Sequence, residues 1–228
     1  MEILPALLTL HVTDLFQQIH KCSRFYNYFQ IDIADGQFVP NTTVSLDEIG
    51  TYLYEENGAS IYHSLVFDFH LMVNDFEPDL HRLVNLQQRI PIKTALIHVQ
   101  RKPDIYRLHK EFPMFGIGLV LNPEDEVSEL VKNYDIASIP AIQIMSVNPG
   151  KQGNPFIPEV LSKVEQLRKH NYRNEIMIDG GVNDKTLPLI ISQNEVPDYA
   201  GIGSFISKAE NLESRVREID ELIKKDTK

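Results

Sequence analysis

The sequence predicts an α/β fold, a closed (β/α)8 barrel in which eight parallel strands alternate with helices. Eight short apolar runs recur along the 228 residues, at positions 3–10, 29–34, 67–73, 94–99, 115–121, 141–147, 175–178 and 199–206. Amphipathic segments lie between them. Continuous apolar runs are typical of strands covered on both faces. Eight such units in a chain of this length fit a closed barrel better than an open sheet.

The segments between the runs carry the spacing of crossover helices. Apolar positions within residues 15–22 share one helical face, as do those within 127–131 and 212–222. Thr-Asp at residues 13–14 and Asn-Asp at 183–184 are predicted N-caps, because their side-chain oxygens can accept from free N–H groups. The strand and helix order is therefore βαβα throughout.

Composition favours one folded domain over residues 1–228. Hydrophobic residues make up 43% of the chain and charged residues 24%, and no linker interrupts it. The weakest unit is the helix predicted over residues 47–56, which Asn57-Gly58 would end early.

Charge and cysteine content exclude several classes of protein. The net charge of -10 disfavours nucleic acid as a partner, because binding there depends on clustered Lys and Arg. The single cysteine, Cys22, excludes an intrachain disulfide and favours a reducing cytoplasm. No apolar run approaches the roughly 18 residues of a membrane span, so we expect no membrane segment.

Three glycine-containing loops follow predicted strands. Their sequences are MSVNPGKQG at residues 145–153, DGG at 179–181 and GIGS at 201–204. Loops of this kind can present backbone N–H groups to an anion. In a (β/α)8 barrel the carboxyl ends of the strands lie at one face, so we expect these loops to converge on one phosphate.

Polar residues also lie near the ends of three predicted strands. Gln30, Asp32 and Ala34 point the same way by the period-two rule, so Asp32 faces the barrel interior. His70 lies in the third strand and Asp179 ends the seventh. Taken singly, each is also explained as a hydrogen-bonded structural residue or a helix cap. Together, two carboxylates and an imidazole suit either a metal site or a pair of acid-base groups.

Other residues near the strand ends leave two readings open. His98 either adds a polar group to the same cavity or is a buried histidine satisfied by backbone. Met72 and Met145 either line the cavity or fill the core. Asp35, which precedes Gly36, is predicted to be a structural turn residue.

Six strings, taken in order, resemble the ribulose-phosphate 3-epimerase family, and the resemblance runs from Pro5 to about Ile219. They are DIADGQFVPN at residues 32–41, HLMV at 70–73, LNP at 121–123, MSVNPG at 145–150, FIP at 156–158 and DGGV at 179–182. The resemblance implies a barrel that inverts carbon 3 of a ketopentose 5-phosphate, or of a related ketohexose 6-phosphate, with one divalent metal. It also implies a role in pentose phosphate metabolism and a homo-oligomer.

The resemblance implies residue roles as well. Asp32 is then the base on one face of the substrate and Asp179 the acid on the other, and both hold the metal with His70 as a further ligand. His70 also contacts the substrate. The phosphate-binding residues implied are Gly150, Lys151, Gln152, Gly153, Gly180, Gly181, Gly203 and Ser204, with Lys151 facing either the phosphate or solvent.

Four pocket positions depart from the family pattern, and the phosphate loop has Lys151-Gln152 where the family usually has Phe-Gly. Gln30 replaces a histidine ligand, Ala6 a serine, Ala34 a methionine and Gln37 a histidine. A glutamine oxygen ligates hard cations but is weaker than imidazole for zinc-like metals. We therefore expect lower metal affinity or a preference for Mg or Mn over Zn or Fe.

Two functions follow from the departures and the retained residues. The first is an active epimerase of a phosphorylated ketose, such as ribulose 5-phosphate or allulose 6-phosphate. The alternative is a barrel that binds a sugar phosphate without turnover, as a sensor or a remnant. A decarboxylase of the related barrels is disfavoured, because the Asp-x-Lys-x-x-Asp element of those enzymes is not found near the predicted strand ends.

Overall fold

A closed barrel of eight parallel strands forms the centre of the computed structural model, which describes residues 1–55, 59–149 and 154–225. The strands follow chain order, and the first pairs with the last. They are β1 (Glu2–Leu7), β2 (Tyr28–Ala34), β3 (Val66–Met72), β4 (Ile92–His98), β5 (Gly116–Leu121), β6 (Ala141–Met145), β7 (Glu175–Asp179) and β8 (Tyr199–Ile202). The predicted (β/α)8 fold is confirmed.

Helices connect the strands on the outside of the barrel. They are α1 (Val12–Cys22), α2 (Leu46–Glu55), α3 (Glu77–Leu86), α4 (Ile105–Glu111), α5 (Val127–Asn133), α6 (Ser162–Lys169), α7 (Leu187–Ile191), α8 (Ser204–Ser207) and α9 (Leu212–Lys225). Short 3-10 turns lie at Ala59–Ser64, Val99–Arg101, Ile136–Ser138 and Pro158–Leu161. Among the described residues, no helix is long and apolar enough to cross a membrane.

Three predicted strands were too long by two residues or more. β6 ends at Met145, whereas its apolar run continues to residue 147. β1 ends at Leu7, whereas the apolar run continues to residue 10, and β8 ends at Ile202, after which residues 204–207 are helical. The run at β1 continues because Leu8 packs with Ala34 and Met72 after the strand has ended. The length of an apolar run therefore overstates both the strand and its burial, since Leu10 at the end of this run is 59% exposed.

Both predicted N-caps were wrong. The first helix begins at Val12 with His11 as its N-cap, so residues 13–14 lie inside its first turn. The seventh begins at Leu187, with Thr186 at the N-cap. Asn183 instead accepts from the backbone N–H of Lys185 at 2.9 Å and so forms a turn ahead of the helix. Asparagine serves a turn as well as a cap because its side chain bonds nearby backbone in both.

Side chains on one face of a strand pack against the surrounding helices, and those on the other face point into the barrel. Ile31 and Ile33 belong to the large apolar cluster between the barrel and its helices. The residues that alternate with them, Gln30 and Asp32, therefore point into the barrel. A smaller apolar cluster, which includes Leu4, Leu96, Val120, Met145 and Met177, packs separately from the large one.

An ion cluster lies near the amino ends of the strands. Lys93 donates to Glu175 at 2.7 Å, and its ammonium lies over the rings of Tyr28 and Tyr199 at 4.5 and 5.0 Å. Tyr28 donates a hydrogen bond to Asp68, and burial raises the pKa of Asp68 to about 7. In barrels of this kind the amino-terminal face contributes stability and the opposite face carries the chemistry.

Candidate active site

Two buried carboxylates enter the barrel from strands that are not neighbours. Asp32 lies on β2 and Asp179 ends β7, and they are 8% and 7% exposed. The side-chain N–H group of Gln30 reaches both, with Nε2 2.9 Å from Asp32 Oδ1 and 2.7 Å from Asp179 Oδ2. A single amide therefore bridges the two carboxylates, which come from β2 and β7.

His70 completes a cluster with these carboxylates. It pairs with Asp32 in the β2–β3 register, and its Nδ1 lies 3.2 Å from Asp32 Oδ1 and 3.8 Å from Asp179 Oδ2. One ligand atom from each of the three residues lies within 4.8 Å of the others. The structure thus brings Asp32, His70 and Asp179 together as a possible metal-binding cluster.

The donor set fits one divalent cation. Two carboxylates and an imidazole are usual ligands of divalent metals. Gln30 offers one more ligand atom, since its Oε1 is buried and has no hydrogen-bond partner among the described residues. Rotation about the terminal bond exchanges the oxygen and nitrogen of an amide, so Gln30 can present its oxygen to the same place.

The electrostatics of the cluster differ between its members. Burial, and then the negative charge of Asp32, raises the pKa of Asp179, while His70 and the N–H of Gln30 act in the opposite direction. A raised pKa keeps a carboxyl group protonated closer to neutral pH, and the protonated form is the one that an acid requires.

His98 contacts His70 at the ring nitrogen that faces away from the carboxylates. Its Nε2 lies 2.8 Å from Nε2 of His70, so its partner is an imidazole, and the reading in which backbone satisfies His98 was wrong. Burial and the neighbouring His70 hold the pKa of His98 well below its ordinary value. A neutral His98 can accept from His70 Nε2–H, and that leaves Nδ1 of His70 directed at the carboxylates.

The cluster lies against a cavity of about 610 Å³. Its lining includes Asp32, His70, Asp179, Met72, Met145, Gly180, Gly181, Gly203, Ser204, Lys208 and Arg215. All three glycine loops therefore reach this cavity, the first of them through Met145, Val147 and Pro149. The remaining phosphate-binding candidates, Gly150, Lys151, Gln152 and Gly153, lie outside the described residues.

Close packing explains one of these glycines. Gly180 has a φ of +112°, and a Cβ there would lie 2.5 Å from Cγ2 of Val147.

Asp35 accepts from the backbone N–H of Gln37 and Phe38 at 2.8 and 2.9 Å, which confirms it as a turn residue. The exposed Gln37 lies at the same turn.

Two residues beside Asp179 had not been expected. Gln143 on β6 places Nε2 3.1 Å from Asp179 Oδ2 and 3.4 Å from His70 Nδ1. Gly201 pairs with Asp179 in the β7–β8 register, and a Cβ on it would lie 3.0 Å from Asp179 Oδ1. One feature of the sequence could have indicated Gln143: it is a polar residue within an apolar run, two residues before Met145.

Comparisons with protein families and with relatives indicate the same family that the sequence strings resemble. The family model described as the ribulose-phosphate 3 epimerase family matches residues 2–204. The ribulose-phosphate 3-epimerase of Helicobacter pylori strain 26695 is 29% identical over 217 residues, which cover 92% of this chain and 93% of that protein. The protein of the same name from Encephalitozoon cuniculi is 30% identical, with coverages of 83% and 79%.

Solved structures share the architecture at low identity. KGPDC from Streptococcus mutans, in complex with D-R5P, superposes with a TM-score of 0.68 at 14% identity and covers 98% of this chain and 97% of that one. The 3-hexulose-6-phosphate synthase of Salmonella typhimurium gives 0.66 at 12% identity, with coverages of 99% and 100%. At these identities the likeness shows the barrel fold.

Proposed function

The chain belongs to the ribulose-phosphate 3 epimerase family, and from that membership we propose that it inverts carbon 3 of a phosphorylated ketose. The candidate substrates are ribulose 5-phosphate and a related ketose phosphate such as allulose 6-phosphate. The observation that carries the proposal is the buried pair of carboxylates, Asp32 and Asp179, bridged by one amide at the wall of one cavity.

Inversion requires proton transfer on both faces of the same carbon. Asp32 removes the proton from carbon 3, and the electron pair of that bond moves toward the neighbouring carbonyl oxygen to give an enediolate. Asp179 then delivers a proton to the opposite face of carbon 3, and the carbonyl forms again. Its raised pKa supports this role, since an acid must hold its proton near the working pH. In the reverse direction the two residues exchange roles.

Asp32, His70 and Asp179, with the oxygen of Gln30, would hold one divalent cation. When bound, such a cation supplies electrostatic stabilisation to the negative charge that develops on the substrate oxygens. His98 keeps His70 in the orientation that this requires, because the two imidazoles are 2.8 Å apart and His98 is neutral.

The glycine loops are proposed to hold the phosphate. Gly180, Gly181, Gly203 and Ser204 share the cavity with the carboxylates, and backbone N–H groups of such loops bind anions. Lys208 and Arg215 line the same cavity and add positive charge. The family resemblance extends this role to residues 150–153.

Exchange of the carbon-3 proton tests the reaction directly. Purified protein is incubated with ribulose 5-phosphate or allulose 6-phosphate in deuterated water, with magnesium, manganese, zinc or iron, and the carbon-3 proton is followed by NMR. We expect exchange in the parent protein and a loss of about 10²-fold or more in Asp32→Asn and in Asp179→Asn, the usual scale for acid-base groups. Full exchange in Asp32→Asn would refute the assignment.

One observation favours the alternative, a barrel that binds a sugar phosphate without turnover. Gln30 directs an N–H group at both carboxylates, where the family resemblance places a histidine ligand. This alternative predicts saturable binding of the sugar phosphate by calorimetry, together with no exchange of its carbon-3 proton. Exchange dependent on Asp32 and Asp179 would exclude it.

A further inference from the structure

Gln143 is a second buried amide at the carboxylate cluster. It lies in the middle of β6 and is fully buried. Its Nε2 is 3.1 Å from Asp179 Oδ2, 3.4 Å from His70 Nδ1 and 3.5 Å from Met145 Sδ. Its Oε1 is buried without a hydrogen-bond partner in the described part of the chain.

A buried amide oxygen without a partner is unfavourable, and an apolar side chain at the same position would avoid the cost. Such a group in a folded protein therefore calls for an explanation, and a bound ion is one of the few available. Gln30 has the same property, since its Oε1 is also buried and unpartnered within the described ranges. Both amides direct their N–H groups at Asp179 Oδ2, which is one of the candidate metal ligands.

The spacing around these amides matches that of ligands on one cation. Turning an amide by half a rotation puts its oxygen where its nitrogen was. The oxygen of Gln143 would then lie 3.1 Å from Asp179 Oδ2 and 3.4 Å from His70 Nδ1. Neighbouring ligands on an octahedral cation with bonds of about 2.1 Å are about 3.0 Å apart. The corresponding distances at Gln30, 2.9 and 2.7 Å, are close to the same value.

We propose that Gln143, together with Gln30, supplies an amide oxygen to a divalent cation held by Asp32, His70 and Asp179, and that the amides set its metal preference. The inference rests on the proposed function only in taking this cluster as a metal centre. The resulting donors are four oxygens and one nitrogen. Oxygen-rich sets favour Mg²⁺ or Mn²⁺, whereas sites with more nitrogen or sulfur favour Zn²⁺.

Metal affinity, measured without any substrate, tests this proposal. Chelator-treated protein is titrated with MnCl2, MgCl2 and ZnCl2 by calorimetry, and Mn²⁺ binding is checked by electron paramagnetic resonance. Gln143→Met keeps the size of the side chain but removes the oxygen. We expect it to weaken Mn²⁺ and Mg²⁺ binding by about 10-fold or more, in the range known for groups around metal ligands, and to weaken Zn²⁺ binding less.

Two further variants keep the test decisive. Gln143→Glu replaces the amide oxygen by a charged one and is expected to tighten Mn²⁺ binding. Gln87→Met makes the same substitution at a glutamine whose Oε1 accepts from the backbone N–H of Ile92 at 2.8 Å, and it should leave metal affinity unchanged. Circular dichroism verifies that each variant is folded.

Specific results would overturn the proposal. Equal Mn²⁺ affinity and an equal Mn²⁺ to Zn²⁺ ratio in the parent protein and Gln143→Met would remove Gln143 from the cation's ligands. Absence of any cation binding to the parent would overturn it as well. If the parent still exchanged the carbon-3 proton, the proposed function would stand. If the metals bind as expected but the carbon-3 proton of the substrate does not exchange, the inference about Gln143 stands and the proposed epimerase function is overturned.

Discussion

Gly201 leaves the space in which Asp179 sits, and Gly201→Ala tests that relationship. A methyl group at this position would lie 3.0 Å from Asp179 Oδ1 and 3.2 Å from its Cγ. Ordinary contact begins near 3.4 Å, so one of the two groups must move by about 0.4 Å. Asp179 does not retreat freely, because the side-chain amides of Gln30 and Gln143 lie directly beside its Oδ2, at 2.7 and 3.1 Å, and leave it no space on that side.

The size of the effect follows from that displacement. A misplacement of about 1 Å costs about 10²-fold in rate, so about 0.4 Å, scaled on the logarithm, costs about 5- to 10-fold. Overpacking should also lower the free energy of unfolding by about 1–3 kcal/mol. The carbon-3 exchange rate at saturating substrate measures the first effect, and urea unfolding measures the second.

Gly118→Ala is the matched control for Gly201→Ala. Its Cβ would lie 2.7 Å from Leu96 Cδ2 and 2.8 Å from the carbonyl oxygen of Ala141, so it overpacks the barrel with no close contact to Asp179. It should lose at least as much stability while the folded protein keeps its exchange rate. An unchanged exchange rate in Gly201→Ala would refute the argument that this glycine positions the carboxylate.

Three other outcomes can be measured. Gly50→Ala should raise the free energy of unfolding by about 0.5–1 kcal/mol in urea, because Gly50 lies inside α2 and, among the described residues outside that helix, a Cβ there would meet Leu86 alone, at 3.6 Å. Lys93→Met should lower it by about 1–3 kcal/mol, since Glu175 loses the ammonium donor that now lies 2.7 Å away. Burial raises the pKa of Cys22 to about 11, so the thiol of the native protein stays mostly neutral below that pH and should react slowly with a disulfide reagent. The reaction should become rapid once urea unfolds the protein. The neutral thiol is the form favoured by folding, so its contribution to stability is complete below the unfolded pKa of about 8.5 and is lost as pH rises toward 11.

The period of a strand was enough to predict where Asp32 points. Gln30 and Asp32 alternate with Ile31 and Ile33, which pack against the helices, so the carboxylate had to face inward. The same reasoning does not say how far Asp32 lies from a residue on another strand. That distance depends on the stagger between strands and on the tilt of the barrel, which leave no mark in the sequence.

Gln143 shows why part of the cluster could not be foreseen. An amide within an apolar run has no local partner that identifies its role. Only the β6–β7 register, which pairs Met145 with Asp179, brings Gln143 within reach of that carboxylate. The single-domain extent over residues 1–228 and the roles assigned to site residues stay predictions, as does phosphate binding at residues 150–153.

Gln30 and Gln143 have to be interpreted as a pair. Both donate to the same oxygen, Asp179 Oδ2, from β2 and β6. If one amide is removed, the other can still hold Asp179, so a small effect of either single substitution on the position of Asp179 does not show that its amide has no influence on that carboxylate. Groups that share a partner are not additive, and the difference between the double variant and the sum of the singles measures what they do together. The departure at Gln30 therefore cannot be judged by restoring one histidine, because its consequence for Asp179 depends on the amide that β6 supplies.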